Sequence, residues 1–222
     1  ISDYIIPIGG DGLLLKTLHS FNNLNKPFFG INFGSIGFLM NNIIYKDLND
    51  TITNSKKSHF KPLKMTAISV DNKTFEAFAY NEVSIMRQTH LASKIKIKIN
   101  NEIKMDELIC DGVLVSTSAG STAYNLSAHG SILPLDSNIL ALTPISAFRP
   151  RRWRGALLSE KNKIELNVLD NKSRSSSVTA DNVEFRNIDK VNISSSNENK
   201  CTVLFDSKHS IEDKILNEQF NF

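Results

Sequence analysis

The sequence predicts two domains, an α/β domain at the start of the chain and a β-rich, sandwich-like domain after it. The α/β domain is predicted because the apolar run Tyr4–Ile8 leads through a glycine turn into a helical pattern over Leu13–Phe21. A strand, a tight turn and a helix form the first half of a βαβ unit. The β-rich domain is predicted because the chain after Pro62 alternates short apolar runs with polar turns.

The boundary between the domains is expected in the polar stretch Asn54–Pro62, which ends at a proline. We place the α/β domain at residues 1–60, joined by a C-terminal helix at 206–222, and the β-rich domain at 61–205. The chain begins at Ile1 and runs directly into a strand. We therefore expect the α/β domain to be incomplete at its start.

Composition fits a globular protein of one or two domains with a hydrophobic core. The 222 residues are 41% hydrophobic and 22% charged, and the net charge of +3 is too small to indicate a nucleic-acid or membrane-surface partner. The five histidines show no metal-binding spacing, so we expect no fixed metal site in the protein. The two cysteines, Cys110 and Cys201, are far apart in sequence, and a cytoplasmic location is expected.

The glycine turn after the first strand is the first candidate site. Gly9, Gly10 and Gly12 surround Asp11, so the backbone can approach a phosphate while the carboxylate faces the same space. The predicted second strand, Phe28–Asn32, is also followed by glycines, namely Gly34 and Gly37. A short helix is predicted further on, at Lys46–Thr53.

The β-rich part contains several predicted strands with distinct patterns. Lys64–Val70 and Thr74–Ile85 flank a polar turn and form a predicted hairpin. Lys94–Ile99 alternates lysine with isoleucine, which is typical of a strand with one buried face. Asn81 and Glu82 lie within the second strand of the hairpin, where burial of two polar side chains is costly unless they bind something.

A strand, a small-residue loop and a helix follow one another in the middle of the chain. Ile109–Val115 is the predicted strand, Ser116–Thr122 the loop, and Ala123–His129 the helix, with Ser121 or Thr122 as N-cap. Small side chains and the exposed N–H groups of a helix start let a polar ligand approach closely. A purely structural turn is the alternative.

Two later segments are open to more than one interpretation. Four arginines at 149, 151, 152 and 154 surround Trp153 and suit either a subunit contact and phosphate binding or a solvated loop. Short strands at 163–168, 175–179, 190–193 and 200–204 and a helix at 210–220 capped by Ser210 complete the predicted fold.

These motifs together resemble the NAD kinase family of the bacterial type. The resemblance rests on GGDG at 9–12, on GINFGSIGFL at 30–39, on Asn81-Glu82 and on DGVLVSTSAGSTAY at 111–124. It covers almost the whole chain and implies the two-domain fold of that family, with the substrate held between the domains. Leu13, Ser118 and Asn182 depart from the residues that the family commonly has.

The resemblance implies transfer of the γ-phosphoryl group of ATP to the 2′-hydroxyl of the adenosine ribose of NAD, giving NADP, with Mg²⁺ or another divalent cation accompanying ATP. Asp11 is implied as the catalytic residue. Phosphate contacts are implied for Gly9, Gly10, Gly12, Asn32 and Gly34. NAD contacts are implied for Asp11, Gly12, Asn81, Glu82, Asp111, Thr122, Ala123, Tyr124 and Ser127. Arg152 and Asp181 are added to the NAD contacts, although Asp181 equally fits a turn-forming residue.

Family membership further implies a homodimer or homotetramer. Two alternatives stay open from the residues. A lipid or sphingoid kinase shares GGDG and a β-rich second domain, and a nucleotide-binding sensor would hold NAD or NADP without turnover.

Overall fold

The computed structural model describes residues 2–34, 37–42, 47–207 and 211–220, without the side chain of Glu212. The chain divides into two compact units. The first consists of Ile1–Lys61, Pro134–Asp136 and Asn197–Phe222, and the second of Pro62–Leu133 and Ser137–Ser196. Residues 197–205 thus lie in the first unit, whereas the sequence analysis assigns them to the β-rich domain.

The described residues form four α-helices: α1 (Asp11–Phe21), α2 (Leu48–Thr53), α3 (Tyr124–Ser127) and α4 (Ile211–Glu218). They also form sixteen strands: β1 (Ile8–Gly9), β2 (Ile31–Asn32), β3 (Lys56–Phe60), β4 (Leu63–Ser69), β5 (Thr74–Ala79), β6 (Glu82–Arg87), β7 (Ser93–Ile99), β8 (Glu102–Cys110), β9 (Gly112–Ser116), β10 (Ile139–Ile145), β11 (Ala156–Ser159), β12 (Ile164–Leu169), β13 (Ser176–Ala180), β14 (Val183–Phe185), β15 (Ile188–Ser195) and β16 (Cys201–Phe205). None of the helices in this part of the chain has the length and apolar character needed to span a bilayer.

The first unit is built on short parallel strands. β1 pairs with β2 in parallel, and this register sets Gly9 opposite Asn32. Phe28 bridges to Ile5 on one side and to Val203 on the other, while β16 pairs with β3 in antiparallel orientation. Because parallel strands end at the same edge of a sheet, the glycine turns that follow β1 and β2 are neighbours.

The second unit is a sandwich of two six-stranded sheets. Sheet A has the order β11-β10-β9-β6-β13-β14, and sheet B has the order β5-β4-β15-β12-β7-β8. Their buried apolar residues form one core, with Ile85, Val113 and Val178 from sheet A and Ile95 and Leu166 from sheet B among them. The predicted fold class, an α/β part and a β-sandwich, is confirmed.

Two predicted strands are wrong because each is in fact two strands in different sheets. The predicted strand Thr74–Ile85 breaks at Tyr80 and Asn81, where the chain passes from β5 in sheet B to β6 in sheet A. The predicted strand Ile109–Val115 breaks at Asp111, between β8 in sheet B and β9 in sheet A. Buried residues lie on both sides of each break, at Ala79 and Val83 and at Cys110 and Val113, so hydrophobicity gives no sign of the change of sheet.

Other differences are local. The predicted helix Ala123–His129 is shorter, with a 3₁₀ turn at Ala119–Thr122 followed by α3, and no side chain caps α3. Strand β3 replaces a predicted polar loop. Helix α2 begins after its N-cap Asp47, which accepts from the N–H groups of Asn49 and Asp50. The expected helix start Lys46 and the expected cap Ser210 lie outside the described residues.

Candidate active site

Asp11 occupies the start of helix α1. Gly10 is the N-cap residue of this helix and Asp11 is its first residue. The two carboxylate oxygens of Asp11 accept hydrogen bonds from the backbone N–H groups of Phe38 and Leu39, each 2.9 Å long. Asp11 therefore links the first glycine turn, in which it lies, to Phe38 and Leu39, which follow the second glycine turn.

Burial raises the pKa of Asp11 above its ordinary value. This effect outweighs the two backbone hydrogen bonds and the positive charge of Lys214, which lower the pKa. A carboxylate with a raised pKa accepts a proton more readily than an exposed aspartate does. The position of Asp11 thus favours proton transfer more than its residue type alone indicates.

Lys214 on α4 belongs to this group of residues, although the sequence analysis did not identify it. Its ammonium group donates a hydrogen bond to the carbonyl oxygen of Met40 at 2.8 Å, and its charge acts on Asp11. Burial lowers the pKa of Lys214. In the sequence, Lys214 could have been associated with Asp11 only through the expectation that the C-terminal helix joins the α/β domain.

The glycines of the turn differ in what surrounds them. A Cβ atom at Gly9 would lie 2.8 Å from the Leu13 side chain, so packing alone explains this glycine. A Cβ atom at Gly12 would meet nothing within 4 Å. Glycine inside a helix costs roughly 0.5–1 kcal/mol relative to alanine. Because nothing in the described structure requires a glycine at position 12, the open space beside it suits a ligand.

Asn32 shapes the second glycine turn. Its side-chain oxygen accepts from the N–H group of Gly34 at 3.1 Å, and a Cβ atom at Gly37 would lie 2.8 Å from the same oxygen. The amide of Asn32 therefore holds the turn in the position where β1 and β2 end. Residues 35 and 36 of this turn are outside the described part of the chain.

The second unit contains the other predicted residues. Asn81 lies where the chain changes sheets, and its carbonyl oxygen accepts from the N–H group of Thr117 at 2.9 Å. The hydroxyl of Thr117 donates to the carbonyl of Tyr80 at 2.6 Å and accepts from the N–H group of Gly120 at 3.0 Å. The structure thus packs the Asn81-Glu82 motif directly against the small-residue loop.

Glu82 carries a buried oxygen that no hydrogen bond satisfies. Within the described structure, Oε2 of Glu82 has no partner. The pKa of Glu82 is raised to about 7, chiefly by burial and in addition by the charge of Asp181, while the hydrogen bond from the backbone N–H of Tyr124 acts in the opposite direction. An unsatisfied buried carboxylate oxygen is costly, so its presence here indicates a ligand with hydroxyl or amide donors.

Asp111 has a partner within the protein. One of its carboxylate oxygens pairs with Nε of Arg87 at 2.6 Å, and a second guanidinium nitrogen of Arg87 donates to the carbonyl of Thr89. The isolated carboxylate that the sequence analysis singled out is therefore partly neutralised by Arg87, which that analysis overlooked. The cross-strand position of Arg87, at the end of β6, was not predictable before the sheet register was known.

The phenol of Tyr124 interacts electrostatically with both Glu82 and Asp111. Burial raises the pKa of its phenol, and the negative charges of Glu82 and Asp111 raise it further. Two of the predicted NAD contacts, Glu82 and Asp111, therefore lie within electrostatic range of a third, Tyr124. Thr122 and Ala123 are half-buried beside them in the chain, and Ser127 is exposed at the end of α3.

A cavity of about 290 Å³ lies beside Tyr124 and Ser127. Arg151, Trp153 and Arg154 also line it, so the arginine segment and helix α3 share one concave surface. Arg152 is exposed. Trp153 packs against the core of the second unit.

The carboxylate of Asp181 is directed at the backbone. It accepts from the N–H groups of Tyr80, Asn81 and Glu82 at 2.7, 3.0 and 3.2 Å. Its own N–H donates to the carbonyl of Glu82 at 3.1 Å. These bonds are those of a residue that shapes the chain around it, which was one of the two interpretations of Asp181.

Comparison with known proteins places these features in a family. Residues 80–204 match the family model described as the ATP-NAD kinase C-terminal domain. The NAD kinase of Xylella fastidiosa (strain Temecula1 / ATCC 700964) is 48% identical over 221 residues, which is 100% of this chain and 85% of that protein. The NAD kinase of Rickettsia bellii (strain OSU 85-389) is 49% identical over 219 residues, 99% of this chain and 86% of that protein.

Two solved structures share the fold. Yeast NADH kinase complexed with NADH superimposes with a TM-score of 0.85 at 22% identity, covering 100% of this chain and 66% of that one. An NAD kinase from Archaeoglobus fulgidus in complex with ATP gives a TM-score of 0.80 at 24% identity, covering 97% of this chain and 82% of that one. On the strength of the close relatives and of the matched family model, the chain belongs to the NAD kinase family.

Proposed function

We propose that this protein is an NAD kinase, which transfers the γ-phosphoryl group of ATP to the 2′-hydroxyl of the adenosine ribose of NAD and releases NADP. Relatives named NAD kinase share 48% and 49% of its residues over almost its full length. The observation that carries the proposal is the buried, unsatisfied Oε2 of Glu82. A ribose offers two adjacent hydroxyl groups, which are suitable donors for such an oxygen.

The dinucleotide is held mainly by the second unit. Asn81 binds the adenine or its neighbourhood, and Glu82 accepts hydrogen bonds from the ribose hydroxyls. The electrostatic effect of both Glu82 and Asp111 on the phenol of Tyr124 supports this assignment. Further NAD contacts are proposed for Asp11, Gly12, Thr122, Ala123 and Ser127, and Arg152 is a candidate for a contact with phosphate.

ATP is held by the first unit, on the glycine turns that follow β1 and β2. The backbone of Gly9, Gly10 and Gly12 and the turn formed by Asn32 and Gly34 approach the phosphates. The open space at Gly12 supports this role, since a side chain there would occupy volume that the fold leaves free. Phosphoryl transfer depends chiefly on positioning and on charge neutralisation, which such a backbone cradle provides.

Asp11 orients the attacking 2′-hydroxyl and accepts its proton. The carboxylate is fixed by the N–H groups of Phe38 and Leu39, so it is already oriented before substrate binds. Its pKa is raised by burial, which makes the late transfer of a proton from the hydroxyl more favourable. The proton moves from the ribose oxygen to a carboxylate oxygen as the new O–P bond forms and the bond between the γ-phosphorus and the bridging oxygen of ATP breaks, so that ADP leaves.

A divalent cation accompanies ATP. The described residues contain no group of three or more His, Cys, Asp or Glu side chains that could hold a metal ion. The cation is therefore expected to be bound chiefly by the phosphate oxygens of ATP, where it neutralises negative charge during transfer. The glycine turns fit this arrangement because they leave room for a hydrated cation–phosphate group.

The protein is further proposed to work as a homodimer or homotetramer. Phe148 is exposed, and the guanidinium groups of Arg149 and Arg151 lie 5.6 and 5.0 Å from its ring centre. Aromatic and arginine side chains are enriched at protein interfaces. The buried thiols of Cys110 and Cys201 are consistent with a cytoplasmic location.

The function is tested by following NADP formation from NAD and ATP in a coupled assay, with Mg²⁺ and with the cation removed by a chelator. NADP formation that depends on the cation is the expected result. A protein that binds NAD but forms no NADP, with its full natural chain present, would instead be a nucleotide-binding sensor.

A further inference from the structure

The backbone N–H groups of the chain segment that carries Asn81 and Glu82 are bound by a single carboxylate, while Thr117 donates to two of its carbonyl groups. We call Tyr80–Glu82 the elbow, because the chain passes there from sheet B to sheet A. The three consecutive N–H groups of the elbow all donate to Asp181. None of these three amides is therefore left to an ordinary strand ladder, and the elbow depends on Asp181 for its shape.

Asp181 itself occupies a strained and specific position. It begins the two-residue turn between β13 and β14, in which Ala180 pairs with Val183, and its φ is 50°. This left-handed conformation is tolerated by aspartate and asparagine better than by other side-chain-bearing residues. The turn directs the carboxylate across to the start of β6, the strand that pairs with β13.

We propose that Asp181 is a positioning residue of the dinucleotide site, which fixes Asn81 and Glu82 for NAD through their backbone and places its negative charge beside Glu82. The inference rests on the proposed function and specifies how Asn81 and Glu82 are positioned for NAD. Asp181 acts through the elbow and needs no contact with the ligand, in contrast to the direct NAD contact that resemblance to the family implies.

The charge of Asp181 should also make NAD binding depend on pH, because it acts on the pKa of Glu82. The titratable groups that act on Glu82 or are acted on by it are Asp181 on the β13–β14 turn and the phenol of Tyr124; Asp111, which also acts on Tyr124, is paired with Arg87. Among these, Asp181 acts on Glu82 in the direction that favours protonation. Since ribose hydroxyls donate best to an ionised carboxylate, NAD binding should tighten as pH rises and Glu82 loses its proton.

Asp181→Asn tests the hydrogen bonds and the charge of Asp181 without a large change in side-chain size. The variant keeps the size of the side chain, but its amide group places donors opposite at least one backbone N–H of the elbow. Asn182→Ala is the matched control, because Asn182 is the exposed neighbour in the same turn. NAD affinity is measured by calorimetry between pH 6 and 8, and kcat and KM are measured for both substrates.

We expect Asp181→Asn to raise Kd and KM for NAD about tenfold, the effect of losing roughly one hydrogen bond to a charged group. KM for ATP should stay within about twofold and kcat within about threefold, because transition-state contacts are unchanged. In the wild type, affinity should rise by up to about tenfold from pH 6 to pH 8. In Asp181→Asn the midpoint of this change should shift to lower pH, and Glu82→Gln should abolish the change.

A folded Asp181→Asn variant with the affinity and pH midpoint of the wild type would overturn the inference. If that variant does not fold, hydrogen exchange of the wild type decides: the amides of Tyr80, Asn81 and Glu82 should exchange slowly, and rapid exchange of all three would overturn it. A wild type that binds NAD but makes no NADP refutes the kinase activity, while the affinity comparison still decides the role of Asp181. A wild type that binds no NAD overturns both the proposed NAD kinase function and the positioning role of Asp181.

Discussion

Gly120 lies directly against the backbone of Asn81. A Cβ atom at Gly120 would be 2.4 Å from the carbonyl oxygen of Asn81 and 2.5 Å from its Cα atom, distances that real Cβ atoms do not reach. Two motifs that are well separated in sequence thus share one tightly packed contact. The glycine is explained by this approach of two backbones, since its φ is not in the left-handed region.

Gly120→Ala should therefore disrupt both the fold and the dinucleotide site. The added methyl group meets backbone atoms, which cannot rotate away, so either the loop or the elbow must shift. We expect a loss of about 1–3 kcal/mol in the free energy of unfolding, the usual effect of overpacking, together with weaker NAD binding. Urea denaturation and calorimetry with NAD measure the two effects. Unchanged stability would show that the contact is looser than described.

Gly12→Ala is the matched control in the other unit, because nothing lies within 4 Å of the added atom. Alanine is the better helix former, so the variant should be more stable by roughly 0.5–1 kcal/mol. If Gly12 leaves space for phosphate, KM for ATP should nevertheless rise. A variant that gains stability and keeps the ATP kinetics of the wild type would remove Gly12 from the proposed site.

Glu82 should make the stability of the ligand-free protein depend on pH. Its pKa is about 7 in the folded protein, against 4.5 as the ordinary value. A raised carboxyl pKa gives stability that is fully present below pH 4.5 and is lost as pH rises through about 7. The loss amounts to roughly 3 kcal/mol at most, from 1.36 kcal/mol per pKa unit.

Glu82→Gln has no such titration. Its free energy of unfolding should therefore match that of the wild type near pH 4 and exceed it by about 3 kcal/mol at pH 8. Urea denaturation of both proteins at the two pH values checks this. Parallel pH profiles for the two proteins would mean that Glu82 is solvated.

The arginine segment tests the proposed assembly. Arg151→Ala combined with Arg152→Ala should shift the protein from a dimer or tetramer toward the monomer in sedimentation velocity. Trp153 is left in place because it packs against the core of the second unit, so that its removal would also lower stability. If the folded double variant sediments as the wild type does, the two arginines belong to a solvated loop or to a phosphate contact.

The sequence predicted those parts of the structure that depend on local pattern. The alternation of Lys94–Ile99 appears as the half-buried strand β7, with Lys98 paired to Glu165 at 2.8 Å and Lys94 to Glu107 at 3.1 Å. The predicted hairpin turn is also present, with Asn72 at a φ of 60° between β4 and β5. In both cases the period of two or the turn chemistry is contained in a few adjacent residues.

The parts that depend on distant partners were not predictable. Strand β3 was missed because it is a short strand with Lys57 and His59 exposed, and only Ser58 and Phe60 are buried. The sheet changes at Asn81 and Asp111 depend on Asp181 and Arg87, which lie far away in sequence. In the candidate site, the motif residues could be named from the sequence, but their supporting partners required the sheet register.

The turnover of Asp11→Asn tests the central claim most directly. Asparagine keeps the shape of the side chain but loses the charge and the ability to take a proton. Its NH₂ group also faces the N–H of Phe38 or Leu39, so an intact fold is established first, and in the folded variant the effect should fall on kcat. With ATP, Mg²⁺ and NAD, we expect the wild type to form NADP and the variant to show a kcat lower by about 10²–10⁴-fold. NAD affinity, measured by calorimetry on the same preparation, should change only a few fold. A variant with near-normal kcat would contradict the assignment of Asp11 as the residue that orients and deprotonates the 2′-hydroxyl.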